Sequence, residues 1–468
     1  MLSGNTFTQV AFFIKGVTNS SSCSKEGGSG LPLFVARLIK FLMRFIYHIF
    51  IIKLLKNDSI TFCFPNTLTI LGTVPANTVI VKKIINSRII VAVLMVLCLL
   101  LLAISCVGCS GIGSGLTKVA DAITNPTARE VYAREFKGGE KIVYDVWESA
   151  YRYALNDSIT VSLPYGEKGT FNPVQNHVYS YNIDVKEGEV LVAEIQRDSL
   201  NHRVFMDIFE NTDSGYKTVK SAKEGDHVLQ YEPKNSGILK IVIQPEMAAN
   251  TDFFISINKQ PLYTTFPVAG KGNSAIMSFW GMERDGGIRK HEGIDIFAQK
   301  GTPVVATTDG FVTYTGERGL GGKQVWLRDG LFGASLYYAH LDAIKVNDGA
   351  RVKAGDTLGF VGNTGNARFT PPHLHFGIYR SFGAVDPLPF VYKTDKISQK
   401  QYSRTYKPDI LKVKGKANLR QGPSTKAPVL GTLGTNEKVM LLGQSRDWLH
   451  VQTVMGMKAF ISKSLVKT

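Results

Sequence analysis

RKHEGIDIFAQKGTPVVATTDGFV, spanning Arg289 to Val312, and the later TPPHLHFGIY, Thr370 to Tyr379, decide how this chain is read. The run His291-Glu292-Gly293-Ile294-Asp295 superficially matches the helical HExxH zinc motif, but its fifth residue is Asp. Gly293 and the flanking isoleucines also disfavour a helix. On an extended strand, residues i and i+2 share a face, and so do i and i+4. His291 with Asp295, and His373 with His375, therefore each present two side chains to one side of a sheet. Two imidazoles and one carboxylate form a ligand set for a catalytic zinc, which keeps a fourth position open for water.

Working outward, the other half of this signal is concentration. Four of the nine histidines (His291, His340, His373, His375) fall in this one region, whereas all five cysteines (Cys23, Cys63, Cys98, Cys106, Cys109) precede residue 110. A disulfide framework or a thiolate zinc site is thereby excluded from the rest of the chain, and any metal there must use His and carboxylates. A length of 468 residues predicts several modules. The 44% hydrophobic content excludes collagen-like or wholly disordered classes. Of the +16 net charge, half belongs to residues 1–105, so the basic excess reflects a membrane-targeting segment and a mild surface bias. It fits a polyanionic surface such as a cell wall, and no nucleic-acid partner is expected.

The uncharged run IIVAVLMVLCLLLLAI, Ile89 to Ile104, follows Lys82, Lys83 and Arg88 and ends in small residues, the order of an export signal. Leu102-Ala103-Ile104-Ser105-Cys106 resembles a lipobox, which predicts lipidation of Cys106 and assigns 81–109 to a signal peptide. An uncleaved membrane anchor of about 20 residues is the alternative. Both place the remainder outside the cytoplasm, membrane-anchored, as a periplasm-facing lipoprotein of the envelope. Residues 1–80 read as an over-extended start or as a basic amphipathic membrane-surface segment. Residues 110–130, rich in Gly, Ser, Thr and Ala, read as a tether.

From 131 to 260 the pattern predicts a β-sandwich. Tyr179, Tyr181, Ile183 and Val185 alternate with polar residues, and a new run begins at Val190 after Lys186-Glu187-Gly188-Glu189, which reads as a hairpin. Further strands are expected at 204–209, 238–243 and 253–257. The pattern resembles the pre-peptidase C-terminal-like sandwiches of secreted bacterial enzymes. His177, His202 and His227 read as surface or strand-end residues.

The quoted segments, together with LYYAHLD (Leu336 to Asp342) and VKAGDTLGFVGNTGNA (Val352 to Ala367), closely resemble the LytM/lysostaphin-type zinc endopeptidases over residues 262–392. The resemblance implies a largely antiparallel β-sheet groove. It makes His291, Asp295 and His375 the ligands of one zinc per chain, and His340 and His373 the catalytic histidines beside the bound water. Its implied partner is peptidoglycan, whose peptide cross-links would be cut; a non-catalytic wall-binding or amidase-activating lipoprotein is the alternative. With no Glu in an HExxH arrangement, a histidine must act as base, and neutral imidazole suits that task. Which of His340 and His373 is the base stays open. Phe279, Trp280, Arg284, Asn363 and Tyr338 are candidates for substrate contact.

From 408 to 468 the text resembles a bacterial Src-homology-3-like domain, expected to be a small β-barrel. It departs from that family at Lys458-Ala459-Phe460-Ile461, where a glycine-aromatic-valine strand is usual. Trp448 reads as core. The fold class expected overall is mainly β and multidomain: a sandwich, a LytM-type antiparallel β-sheet peptidase domain and a small C-terminal β-barrel.

Overall fold

Apolar residues recurring every third or fourth position after the expected tether build helices before any strand of the sandwich appears. The computed structural model describes residues 59–60, 74–75, 124–136, 141–173, 177–199, 201–330, 333–397, 399, 402 and 409–467. Cys106 and the whole signal or anchor segment 81–109 lie outside the described residues, as do nearly all of 1–80 and most of the tether. Strands Ser59–Ile60 and Val74–Pro75 pair antiparallel in a unit separate from Ile123–Thr468. Among the described residues, no helix is long and apolar enough to cross a membrane.

Helices α1 (Ala128–Phe136) and α2 (Lys141–Leu155) occupy sequence expected to open the β-sandwich. Trp147, Tyr151 and Ala154, at helical spacing, are buried. Tyr132, Trp147 and Phe205 share one apolar cluster, and the Trp147 indole donates to the Pro245 carbonyl at 2.9 Å. The helices thus cover the outer face of one sandwich sheet.

That sandwich is built from β1 (Tyr165–Phe171), β2 (Tyr179–Val185), β3 (Glu189–Arg197), β4 (Val204–Thr212), β5 (Gly215–Ser221), β6 (Val228–Tyr231), β7 (Gly237–Pro245) and β8 (Thr251–Pro261). One sheet has the order β2-β7-β4-β5 and the other β1-β8-β3-β6, with antiparallel neighbours throughout. The expected hairpin at Lys186–Glu189 is instead an arch between sheets: β2 pairs with β7, whereas β3 pairs with β8 and β6. Both runs alternate because each turns its apolar side inward from an opposite layer. His177, expected at the surface or a strand end, lies just before β2 and is buried, and burial pushes its pKa down to about 4, helped by Lys458 and His450.

The chain then enters the peptidase-like unit through β9 (Ile276–Ser278), β10 (Glu283–Arg284), β11 (Arg289–Lys290), β12 (Ile294–Phe297), β13 (Pro303–Val305), β14 (Gly310–Arg318), β15 (Gly322–Asp329), β16 (Ser335–Ile344), β17 (Arg351–Val352), β18 (Thr357–Val361), β19 (His373–Arg380) and β20 (Gly383–Val385). Its main sheet runs β9-β12-β19-β16-β15-β14-β17, with β18 joining β16 to β13. Ile294, Ile296, Leu374 and Phe376 are fully buried in its core, each contributing about 1.5–3 kcal/mol by leaving water. This module docks on the sandwich through an ion pair between Arg380 and Glu187 (2.7 Å) and a bond from the Leu262 amide to the Gly188 carbonyl (2.9 Å).

The C-terminal strands β21 (Ile410–Val413), β22 (Ala417–Arg420), β23 (Val429–Leu433), β24 (Lys438–Ser445), β25 (Trp448–Thr453), β26 (Lys458–Ser462) and β27 (Val466–Lys467) form a ladder ordered β23-β22-β26-β25-β24, with β21 pairing β24 and β27. Among the described residues this ladder does not close into the barrel expected. It continues through a β24–β1 bridge, Gln444 to Lys168, into the sandwich. Phe460 and Leu442 belong to the sandwich core, and Trp448 packs against it half-buried.

A fully buried polar knot sits at that seam. Glu167 accepts from the phenols of Tyr165 and Tyr181, and its other oxygen lies 2.9 Å from His450 Nδ1. Burial first, then the Glu167 charge, pushes both phenols well above their ordinary pKa, so they remain donors. Removing one member of such a knot leaves the others buried without partners. Glu167→Ala is expected to destabilise the sandwich and the C-terminal domain together by about 3–5 kcal/mol in denaturant unfolding. A loss under about 1 kcal/mol, or a C-terminal transition that stays put, would contradict the shared core.

Candidate metal centre

The antiparallel register places Asp295 of β12 directly opposite His375 of β19, and Ala339 of β16 on the other side of His375. Side chains alternate across each strand, so the same pairing that buries Ile294, Ile296, Leu374 and Phe376 turns Asp295, His373 and His375 to the opposite face. His291 arrives from the turn before β12: its amide donates to the Met282 carbonyl at 2.8 Å, and its own carbonyl accepts from the Gly281 amide at 2.9 Å.

Three atoms converge. His291 Nε2, Asp295 Oδ1 and His375 Nδ1 are each 3.0 Å from the other two. Among the described residues they form the only such group of three or more potential metal-binding side chains. His291 Nδ1 lies 2.9 Å from the Phe279 carbonyl, and a carbonyl only accepts. Nδ1 therefore carries a proton and donates, which leaves Nε2 directed at the carboxylate and at His375. Burial alone pushes the Asp295 carboxyl up, but the contacts and charge of His291 and His375 outweigh it and hold the group well below the usual carboxylate range. The ionised oxygen and the two ring nitrogens crowd one small space, where a shared proton or a cation holds them together. A tetrahedral zinc with bonds of about 2.0–2.1 Å has ligand atoms about 3.3–3.4 Å apart, so the donor set and its spacing suit such an ion.

His340 and His373 stand beside the trio, their rings 5.1 Å apart between centroids. Each is oriented by the same device: Nδ1 faces a backbone carbonyl at 2.9 Å, Thr364 for His340 and Pro371 for His373. In the neutral rings Nε2 is the free acceptor, and that of His373 lies 4.0 Å from Asp295 Oδ1. Burial, then the neighbouring His375 and His373, pushes the pKa of His340 down to about 4. Its backbone takes a left-handed φ of 62°, a strained setting for a residue with a side chain. The His340 amide donates to the Gly321 carbonyl at 2.8 Å, and the loop supplying Thr364 interlocks with the 319–322 turn, where a Cβ on Gly365 would come within 2.2 Å of the Leu320 carbonyl.

Of the residues considered for substrate contact, Phe279 is exposed, and Trp280 and Asn363 are half-buried near the group. Tyr338 is not available: it points into the core, and its hydroxyl binds Thr307. Its neighbour Tyr337 occupies the site face instead, 5.7 Å from the His375 ring; strand alternation from His375 through its partner Ala339 is the signal that separates the two. Arg284 reaches Asp295 Oδ2 at 3.0 Å, a contact between residues of two different strands that spacing does not reveal. The carbonyls of Phe279, Thr364 and Pro371, which orient three of the four imidazoles, carry no side-chain signature at all.

Against known proteins, residues 289–387 match peptidase family M23, and residues 415–467 match the bacterial SH3 domain. The chain is 40% identical over 111 residues to the DD-carboxypeptidase/endopeptidase Mpg of Neisseria meningitidis, covering 24% of this chain and 25% of that protein. It is 37% identical over 136 residues to the L-Ala--D-Glu endopeptidase of Bacillus subtilis, covering 26% and 41%. The chain thus spans well under half the length of these relatives. The catalytic domain of lysostaphin from Staphylococcus simulans aligns at 34% identity and a TM-score of 0.23, covering 24% of this chain and 89% of that one.

Gly293 tests the geometry directly. A Cβ there would lie 2.6 Å from His375 Cε1 and 2.7 Å from the Phe376 carbonyl, with backbone on one side. Gly293→Ala is expected to displace the His375 ring, visible as shifted imidazole resonances, and to lower zinc affinity at least about tenfold. Unmoved resonances with parental affinity would show that the glycine is dispensable.

Proposed function

We propose that this chain is an exported zinc metalloendopeptidase that hydrolyses peptide cross-links of bacterial peptidoglycan. The observation that carries this reading is the 3.0 Å convergence of His291 Nε2, Asp295 Oδ1 and His375 Nδ1 beside two further imidazoles whose Nδ1 atoms are tied to carbonyls. The family match over residues 289–387 supports the reaction class. His291, Asp295 and His375 hold the metal. Zinc, when bound there, supplies Lewis acidity that activates water and polarises a peptide carbonyl.

The remaining work falls to this chain's own side chains. His340 and His373 accept and return protons through Nε2, because Nδ1 of each is committed to a carbonyl. One takes the proton of the attacking water on Nε2 and passes it to the departing amine, and the other, when its Nε2 also carries a proton, donates to the oxygen that gains charge as the carbonyl becomes tetrahedral. Burial keeps His340 neutral at physiological pH and removes competing water around it. The strand pairing that fixes His375 and Ala339 holds both rings beside the metal site.

Replacing His291, Asp295 or His375 by Ala should remove bound zinc and activity together. His340→Ala and His373→Ala should keep roughly one zinc per chain while turnover falls about 100- to 10,000-fold. Plasma mass spectrometry for the metal and release of peptides from purified sacculi measure the two effects. Should all five variants digest sacculi like the parent, the peptidase reading fails.

Export and anchoring rest on the Lys82-to-Cys106 segment. Cys106 is the proposed lipidation site, placing the enzyme on the periplasm-facing side of the envelope. A durable anchor needs more than one acyl chain. Cys106→Ala is accordingly expected to release the chain from membranes in fractionation; full membrane retention by the variant would point to an uncleaved anchor instead.

A further inference from the structure

Resting on the metallopeptidase reading, we propose that Arg284 is a positioning residue that restricts Asp295 to coordination through one oxygen, and so keeps the metal's fourth position open. The two carboxylate oxygens are divided between two tasks. Oδ1 lies 3.0 Å from both His291 Nε2 and His375 Nδ1, in the metal-binding trio. Oδ2 faces away from that trio and accepts from Arg284 Nη2 at 3.0 Å. The same Nη2 donates to Ser278 Oγ, and Ser278 is the cross-strand neighbour of Asp295 and lies 3.3 Å from His291 Nδ1. A guanidinium nitrogen carries two hydrogens, so one bond to each acceptor uses it fully.

The backbone holding Arg284 is also the backbone holding His291. Strand β10 pairs with β11, with Arg284 opposite Arg289, two residues before His291. The hairpin is closed by the bonds from the His291 amide to the Met282 carbonyl and from the Gly281 amide to the His291 carbonyl. Thus one short hairpin positions a ligand directly and orients a second ligand through its arginine. The Arg284 side chain is 28% exposed and the Asp295 side chain 11%, so the pair is largely shielded from competing water.

The chemical consequence concerns coordination number. A carboxylate with both oxygens free can turn and bind a metal through both, and the second oxygen then fills the position that a catalytic zinc site leaves for water. Pinning Oδ2 in a charge-assisted bond opposes that turn. Outer-shell partners of this kind are worth about 10- to 100-fold in metal affinity or activity.

The experiment uses the full chain with Arg284→Met and Arg284→Lys. Zinc affinity is measured by chelator competition, the visible spectrum is recorded after cobalt(II) substitution, and kcat and KM are taken on soluble sacculus fragments at saturating zinc. Arg284→Met is expected to weaken zinc binding about 10- to 100-fold, to shift the cobalt absorption as the second carboxylate oxygen takes the place of water, and to reduce kcat with little change in KM. Lys offers a charged donor without the planar fork, so Arg284→Lys should recover part of the affinity and of the cobalt spectrum. If the Met variant does not fold, the Lys variant decides, since its cobalt spectrum should still depart from that of the parent.

Parental affinity and a parental cobalt spectrum in Arg284→Met, or in Arg284→Lys if only that folds, overturn the proposal. A parent chain that binds no zinc overturns the metallopeptidase reading and this inference with it. A parent that binds zinc and cleaves, beside an Arg284 variant indistinguishable from it, overturns this inference alone.

Discussion

The pairing of Asp295 with His375 across two antiparallel strands is the constraint on which the rest of the site depends. Residues on a strand alternate between faces, so a slip of one position would drive Asp295, His373 and His375 into the core and expose Ile294, Ile296, Leu374 and Phe376. Those four are fully buried. The apolar core therefore enforces the register, and the register delivers the polar trio. A cluster of imidazoles and a carboxylate held at 3.0 Å needs a shared proton or a cation among its atoms, and the neighbouring packing is what holds them that close.

Orientation is supplied by backbone rather than by further side chains. Three of the four imidazoles in this region have Nδ1 facing a carbonyl, of Phe279, Thr364 or Pro371. Each carbonyl belongs to a loop flanking the sheet, so the loops set tautomer and ring angle while the strands set position. His375 is the exception, with Nδ1 itself among the three converging atoms. It sits mid-strand, where its backbone neighbours are already paired on both sides. The strained φ of His340 belongs to the same division of labour: that residue is where β16 departs from its pairing with β19 toward the interlocked loops.

Much of this was legible in the order of residues because strand periodicity is two and Asp295, His373 and His375 lie on strands. HxH is a same-face pattern for an extended chain, and the alternating runs of the sandwich were equally readable, whereas His291 reaches the site from the turn before its strand rather than along it. What escaped depends on where the chain bends. The Lys186–Glu189 turn joins two layers instead of two neighbours, a choice made by which partner strand arrives from elsewhere in the sequence. The α1–α2 pair was masked by its position ahead of strong β-patterns, although Trp147, Tyr151 and Ala154 have helical spacing. Arg284 was visible as a charged residue near the first candidate ligand, but its contact with Asp295 is created by a separate two-stranded hairpin. Tyr338, a candidate for substrate contact, faces the core, and the left-handed φ of 62° at His340 breaks the alternation that would relate the two.

The C-terminal departure from its family pattern follows from the same period-two logic applied to a different neighbour. In Lys458-Ala459-Phe460-Ile461, the fully buried Ala459 and Ile461 point into the domain's own core, so Phe460 must point the other way. On an isolated small domain that would leave a phenylalanine in water. Here it packs into the sandwich, stacked on His450 at 4.8 Å between centroids and edge-on to Tyr165. Lys458, on the same side as Phe460 by neighbouring contact, bridges to Asp157 and to the Val178 carbonyl. The unusual strand is thus the docking strand: a side chain that looks like a lost ligand pocket within one domain is a core residue of two domains. Because the module with the His291-Asp295-His375 group lies between these partners in sequence, their shared core ties the chain together on both sides of that candidate site.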